Sequence, residues 1–193
     1  PGAQIIVGFN KTMNAESFAK AIDENTLTQD LSYIPVEAGD AFFIDAGLIH
    51  AIGKGVVLAE IQQTSDITYR VYDYGRVQAD GSLRDLHIEA AKKAIDFDLN
   101  DNFRLDYNRT LQGSQPLKHA TYFKSDIIQL NTKVYQIDRD DSFTVLMVVG
   151  GTITLSCNKN SQRLNSGQTV LLPAACPEVQ IQGEGASVLE VYL

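Results

Sequence analysis

Residues 36–47 read Val-Glu-Ala-Gly-Asp-Ala-Phe-Phe-Ile-Asp-Ala-Gly, and residues 164–175 read Leu-Asn-Ser-Gly-Gln-Thr-Val-Leu-Leu-Pro-Ala-Ala. Both stretches place a glycine in a polar turn, follow it with an apolar strand, and end in a second turn. Each copy then continues into a glycine-broken loop and an apolar strand that carries an acid, Glu60 in the first copy and Glu190 in the second. Two copies of one β unit predict two similar barrels.

The two copies differ at one position that matters for chemistry. His50 in the first copy corresponds to Glu178 in the second. Because side chains alternate along a strand, Leu48, His50 and Ile52 are predicted to share one face. A lone histidine on a strand is more often a core or surface residue than a metal ligand, so its neighbours must decide its role.

Two further predicted strands, residues 57–62 and 67–73, follow His50. Alternation places Glu60 and Gln62 on one face of the first strand, and Thr68, Arg70 and Tyr72 on one face of the second. Adjacent strands would make these residues a polar face backed by an apolar one. A solvated sheet surface explains such a face equally well, unless it lines the interior of a ligand-binding barrel.

Residues 60–74 read Glu-Ile-Gln-Gln-Thr-Ser-Asp-Ile-Thr-Tyr-Arg-Val-Tyr-Asp-Tyr. This stretch resembles the signature of the type I mannose-6-phosphate isomerases, in their short bacterial form, and residues 39–52 resemble the same family's strand–turn–strand around a histidine. The resemblance is strongest over residues 35–76. It implies a mainly β fold of two double-stranded β-helix (cupin or jelly-roll) lobes with a few short helices.

The resemblance also implies a site and a reaction. Members of the family hold one zinc ion through Gln, His and Glu of an early segment and a final histidine, which corresponds to His50. Glu60 and Arg70 would lie in the active site, and Asp66 would transfer a proton or contact the substrate. The reaction implied is the interconversion of mannose 6-phosphate and fructose 6-phosphate through an enediolate. A Lewis-acidic metal, a proton-transferring base and the forked donors of Arg70 suit it.

The resemblance and the sequence pattern together suggest an organisation in three parts. Residues 1–97 are expected to be the remaining part of the catalytic cupin, with a helix capped by Asn14 and a second helix over 83–97. The polar residues 98–118 are predicted to form a linker, and 119–193 a degenerate C-terminal cupin lobe. Because residues 3–9 already read as a buried strand, we expect the N-terminal part to be missing. Its three zinc ligands would then be missing too, and this chain alone would be inactive.

Composition restricts the class of partner. The net charge is −8, and the 16 basic residues are scattered, which argues against a nucleic-acid partner. The sequence contains no run of about 18 apolar residues, the length that a membrane-spanning helix needs. The two cysteines, Cys157 and Cys176, are predicted to be small core residues of a cytoplasmic protein.

Two other functions compete with the isomerase. In the first alternative, the chain is a non-catalytic cupin that binds a sugar phosphate. In the second, residues 121–193, which contain no histidine, form a purely structural lobe. A cupin dioxygenase is disfavoured, because the chain has only three histidines and a single one lies in a cupin-type motif.

Overall fold

The computed structural model describes residues 2–64, 67–98, 103–138, 141–176 and 178–193, with the backbone alone at residues 132 and 133. The chain divides into two compact units, Pro1–Arg104 and Leu105–Leu193. Within the described ranges, neither α-helix combines the length and the apolar character needed to cross a membrane.

A three-stranded antiparallel sheet forms the base of the first unit. The central strand β1 (Gln4–Phe9) pairs with β2 (Leu31–Pro35) on one side and with β3 (His50–Ile52) on the other. All residues of β1 after Gln4 are buried. This confirms the prediction of a buried strand over residues 3–9, and it gives β3, with His50 at its start, a rigid neighbour.

Helix α1 (Ala15–Asp23) covers this sheet and begins where the sequence predicts. The Asn14 side chain accepts a hydrogen bond from the Ser17 N–H at 2.8 Å, and the Ser17 hydroxyl accepts one from the Asn14 N–H. This reciprocal capping satisfies two N–H groups that the helix itself cannot pair. Phe18 is completely buried, with its ring 6.4 Å from that of Phe9 and 5.9 Å from that of Phe97.

The second predicted helix is shorter than expected. Helix α2 spans Ile88–Ala94 instead of residues 83–97, and Leu27–Gln29 form a separate 3-10 turn. The reason lies in long-range bonding upstream of α2. Leu83 bridges to Val77, and the His87 N–H donates to the Arg70 carbonyl at 2.7 Å. These backbone groups are therefore not available for a helix.

Several strands predicted after β2 are absent as regular elements. In the segment 41–44 only Phe42 forms a bridge, to Arg104, and residues 57–62 and the described residues of 67–73 have no strand structure. Alternation of apolar and polar side chains specifies two faces, but a strand also needs a neighbour for its N–H and C=O groups. Both edges of β1 are already occupied by β2 and β3, so the predicted strand at 57–62 finds no place beside it.

In the second unit, the described residues form seven antiparallel strands. They are β4 (Gly113–His119), β5 (Lys124–Ile137), β6 (Thr144–Gly150), β7 (Thr152–Cys157), β8 (Asn160–Asn165), β9 (Thr169–Leu172) and β10 (Val179–Tyr192). The main path runs β4-β5-β10-β6-β9, and β7 joins β10 to β8. Because β10 pairs with β7 through its first half and with β6 through its second, it links both parts of the sheet around one apolar core.

The position of β4 changes the predicted domain boundaries. Residues 113–118 were expected to belong to a linker, yet they pair with β5 from Gly113 opposite Gln129 to His119 opposite Lys124. The polar composition of this segment misled the prediction, since an edge strand with one solvated face needs few apolar residues.

The internal repeat corresponds to a shared turn structure. Gly39 and Gly167 occupy the same place in their copies and have φ of +88° and +86°, a region that favours glycine. In each copy the residue after this glycine donates its N–H back across the turn, and its side chain accepts from the N–H at the turn's start. The matched bonds are Asp40 N to Glu37 O (3.1 Å), Gln168 N to Asn165 O (3.0 Å), Glu37 N to Asp40 Oδ2 (2.9 Å) and Asn165 N to Gln168 Oε1 (2.7 Å). The prediction of a mainly β chain with a few short helices is confirmed.

Candidate functional site

His50 stands at the start of β3 with its side chain exposed. Its Nδ1 lies 2.9 Å from the carbonyl oxygen of Leu48, two residues earlier in the chain. A carbonyl oxygen only accepts hydrogen bonds, so Nδ1 carries a proton, and in the neutral imidazole Nε2 then keeps its lone pair. This is the arrangement in which a backbone carbonyl orients a histidine that binds a metal through its other nitrogen.

A small pocket lies beside His50. Its lining includes Ile6, Leu31, His50, Tyr72 and Tyr74. The rings of Tyr72 and Tyr74 meet edge to face at 4.9 Å. Burial, together with the nearby Tyr74 and Tyr72, raises the pKa of Tyr33, whose hydroxyl donates to the Thr28 carbonyl at 3.1 Å. The end of the family-like signature therefore folds against the strand that bears His50.

Arg70 lies next to a buried carboxylate, that of Asp73. The two side chains approach to 4.0 Å, and the Asp73 carboxylate also binds Arg84 through both of its oxygens, with Nε to Oδ2 at 2.8 Å. The hydrogen bonds from Arg84 are the main reason why the pKa of Asp73 is lowered; the charges of Arg84, Arg70 and Arg76 add to this against the effect of burial. Asp73 is thus a fixed anion among three guanidinium groups.

The backbone of Arg70 is held separately by His87. The Arg70 N–H donates to His87 Nδ1 at 3.1 Å, and the His87 N–H donates to the Arg70 carbonyl at 2.7 Å. Because Nδ1 accepts a hydrogen bond here, this histidine is already engaged in structure. His87 lies outside the stretches that resemble the isomerase family, and its contacts give it a positioning role.

In its described ranges, the structure gives no contact that ties Glu60 or Asp66 to the candidate site. Glu60 is exposed, in a segment without regular secondary structure. Asp66 lies outside the described residues. Across the described part of the chain, no hydrogen bond or ion pair joins His50, Glu60 and Arg70 to one another. Their convergence in one site therefore stays a prediction.

Three residues that position the candidate site escaped sequence reasoning. Asp73 closes the family-like signature, while Arg84 and His87 follow it by 11 and 14 residues. The sequence offered one signal, because a charged residue that ends a strand-like apolar alternation often has a partner. Only the fold shows that Asp73 pairs with Arg84.

The described residues fit one ligand position of a zinc site. His50 presents an available Nε2, but the residues that the structure describes contain no group of three or more His, Cys, Asp or Glu side chains placed to hold a metal ion. A catalytic zinc needs about three protein ligands. His50 would have to act together with ligands that are not among these residues.

The second unit carries a polar cluster of its own. The buried carboxylate of Asp126 lies 2.7 Å from His119 Nε2 and accepts from the Tyr192 hydroxyl at 3.2 Å. These three residues come from β4, β5 and β10, which are neighbours in the sheet. Because a buried carboxylate needs such partners, the cluster is accounted for as a structural one.

Comparison with known proteins places both units. Residues 115–192 match the family model described as the cupin domain of mannose-6-phosphate isomerase. The chain is 28% identical to the mannose-6-phosphate isomerase ManA of Bacillus subtilis over 183 residues. The aligned region covers 94% of this chain and 58% of that protein. It is 30% identical over 185 residues to the mannose-6-phosphate isomerase of Streptococcus mutans, covering 95% and 58%.

Solved structures give the same result for the fold. The crystal structure of the mannose 6-phosphate isomerase from Bacillus subtilis matches with a TM-score of 0.87 at 28% identity, over 99% of this chain and 60% of that one. A phosphomannose isomerase variant from Salmonella typhimurium matches with a TM-score of 0.73 over 98% and 64%; at 14% identity this likeness concerns the fold alone.

Fold and site together define a cupin protein with a histidine at the edge of a pocket. Within the cupins, the chain is similar to the mannose-6-phosphate isomerases, and the resemblance carried by its signature is confirmed. The chain spans 58% of the length of these curated relatives.

Proposed function

We propose that the chain is the part of a mannose-6-phosphate isomerase that supplies one metal ligand and the arginine that faces the substrate. The observation that carries the proposal is the similarity to isomerases over 94% of the chain, combined with the fixed setting of Arg70 within the family-like signature. The reaction would be the interconversion of mannose 6-phosphate and fructose 6-phosphate by proton transfer through an enediolate.

His50 is proposed as one ligand of a zinc ion. Its Nδ1–H is fixed by the Leu48 carbonyl, which in the neutral imidazole leaves the Nε2 lone pair for coordination. When bound, such an ion would act as a Lewis acid toward the sugar oxygens. Among the described residues His50 is the single ligand that fits, so the ion would need further ligands.

Arg70 is proposed to hold negative charge on the substrate, either the phosphate or the oxygen that becomes anionic. The argument rests on local charge. Asp73 is already engaged by two nitrogens of Arg84, so it neutralises Arg70 only in part at 4.0 Å. The forked donors of a guanidinium match the oxygens of a phosphate, and the backbone bonds to His87 keep Arg70 in place.

Glu60 and Asp66 remain the proposed candidates for proton transfer. A carboxylate next to C1 and C2 of the sugar would remove a proton from one carbon and return it to the other. Glu60 is exposed and so is reachable by a substrate. Which of the two acts as the base is decided by the pH dependence of turnover in single variants, in which Glu60→Gln or Asp66→Asn removes the essential base.

A non-catalytic cupin that binds sugar phosphates is the alternative. The observation that favours it is that the described residues contain no group of three or more side chains placed to hold a metal ion. The complete gene product separates the two functions when it is tested with mannose 6-phosphate. Turnover to fructose 6-phosphate in a coupled assay, at a kcat on the order of 1 s⁻¹ or above, supports the isomerase. Saturable binding in a calorimeter without turnover supports the binding module.

The isolated 193-residue chain is proposed to be inactive, because His50 alone cannot hold a catalytic metal ion. The test is an assay of the purified chain with added zinc and mannose 6-phosphate, alongside the complete gene product as positive control. Substantial turnover by the chain alone would refute this part of the proposal. We also propose a cytoplasmic location, in keeping with the metabolic role of a sugar-phosphate isomerase.

A further inference from the structure

Two cysteines that lie 19 residues apart in sequence meet in the second unit. Cys157 is the last residue of β7, and Cys176 lies in the turn that follows β9, where its N–H donates to the Pro173 carbonyl at 2.9 Å. Their Sγ atoms are 2.6 Å apart. A covalent S–S bond measures about 2.05 Å, so closing it would need a shift of only about half an ångström.

The surroundings favour a stable pair over an accidental one. Both side chains are half-buried and pack against the apolar core of the second unit. The turn after Cys157 is fixed by Asn158, whose φ of +54° is typical of a tight turn, and by the pairing of Cys157 with Asn160. Half-burial leaves both thiols within reach of a small oxidant.

We propose that Cys157 and Cys176 form a reversible dithiol–disulfide site that ties the end of β7 to the turn after β9. This inference is independent of the isomerase function. In the reaction with a small-molecule disulfide such as oxidised glutathione, one protein thiolate attacks a glutathione sulfur and releases one glutathione thiolate. The second protein thiolate then attacks the mixed disulfide and releases the other. Two protein thiols are oxidised, and one glutathione disulfide is reduced to two thiols.

The chemistry of Cys157 indicates a slow, stable switch instead of a catalytic thiol. The hydrogen bond with Cys176, followed by burial and by the nearby Cys176 and Glu178 charges, raises the pKa of the Cys157 thiol. Because the thiolate is the attacking form, a raised pKa slows oxidation at neutral pH. The resulting bond would enclose β8 and β9 in a loop and restrict the unfolded chain.

The test equilibrates the purified chain in buffers with a series of ratios of reduced to oxidised glutathione, followed by acid quenching and mass spectrometry. The expected product has lost two hydrogen atoms. Trypsin should then release a disulfide-linked pair, the peptide that ends at Lys159 and the one that begins at Leu164. Thermal unfolding should show a Tm on the order of 10 °C higher for the oxidised chain than for the reduced one.

Cys157→Ser and Cys176→Ser are the matched controls. Each variant should fold and should gain a single glutathione by mass in the oxidising buffers. Its Tm should be the same in the most reducing and the most oxidising buffer, apart from the effect of that one bound glutathione. The proposal is overturned if the original chain instead gains two glutathione groups, forms dimers on a non-reducing gel, or keeps both thiols open to alkylation at the most oxidising ratio.

Discussion

Asp73 and Arg84 form a two-point ion pair, in which the Arg84 Nε lies 2.8 Å from Asp73 Oδ2 and the neighbouring guanidinium nitrogen binds Oδ1. Paired contacts of this kind fix direction as well as distance. The pair joins the end of the family-like signature to the segment that leads into α2, and it leaves Arg70 beside an anion that is already bound.

Asp73→Asn tests the pair through the pH dependence of stability. Arg84 lowers the pKa of Asp73, so the stabilisation is complete above the ordinary pKa of about 3.9 and is lost as the pH falls through the lower folded-state value. The variant should be less stable than the original chain at pH 7, and the difference should vanish in strong acid. Urea unfolding between pH 7 and the acid limit measures it. The exposed Asp23→Asn is the control, and parallel curves for Asp73→Asn would contradict the expectation.

Arg70→Ala tests the proposed substrate contact. In the complete gene product we expect a loss of turnover on the order of 100-fold, because a donor to developing negative charge is removed. The free energy of unfolding should change by less than about 1 kcal/mol, since the polar contacts of this side chain with the described residues are long, at 4.0 Å and 3.4 Å. Steady-state kinetics and urea unfolding provide the two readouts. Arg109→Ala is the control, and a fully active Arg70→Ala enzyme would remove the assignment.

His50→Ala tests the proposed metal ligand. After dialysis, the complete gene product with this substitution should retain at least roughly tenfold less zinc than the original. Loss of a residue that merely hydrogen-bonds a metal ligand already weakens metal affinity by about tenfold or more, and loss of the ligand itself should have at least that effect. Elemental analysis gives the metal content independently of activity. His119→Gln should keep its zinc, because His119 is bound to Asp126 in the second unit. Unchanged zinc in His50→Ala would count against the ligand.

Phe18→Ala tests the aromatic core of the first unit. Phe18 is completely buried and contacts Phe9 and Phe97, so truncation should lower the free energy of unfolding by about 3–5 kcal/mol. Denaturant unfolding followed by circular dichroism measures the loss. Val57→Ala removes apolar atoms from a side chain that is 98% exposed and should change stability by less than about 0.5 kcal/mol. Equal effects of the two substitutions would show that Phe18 is not a core residue.

The repeated turn is tested by Gly39→Ala and Gly167→Ala. Both glycines have φ near +90°, where an alanine is strained, so each substitution should cost roughly 1 kcal/mol. Gly150→Ala is the control, because an added Cβ there would lie 3.6 Å from Ser187 Cβ, an ordinary contact. Similar losses at both repeat positions, measured by urea unfolding, are the expected result; a neutral effect at either one would weaken the structural equivalence of the copies.

Much of the fold follows from local sequence patterns. The cap at Asn14, the buried strand β1 and the two repeat turns are encoded within a few residues each, because helix capping, side-chain alternation and positive φ depend on neighbours in the chain. The strand-like pattern of residues 57–62 was misleading for the same reason, since alternation does not supply a partner strand.

The sequence by itself determined the fold class, the resemblance to the isomerases and the placement of His50 in a strand. Only the tertiary structure decided that Asp73 binds Arg84, that His87 holds the backbone of Arg70, and that Cys157 lies 2.6 Å from Cys176. The physical reason is that these contacts join residues 11 to 19 positions apart. Their separation in space depends on how whole segments pack, which no local pattern records.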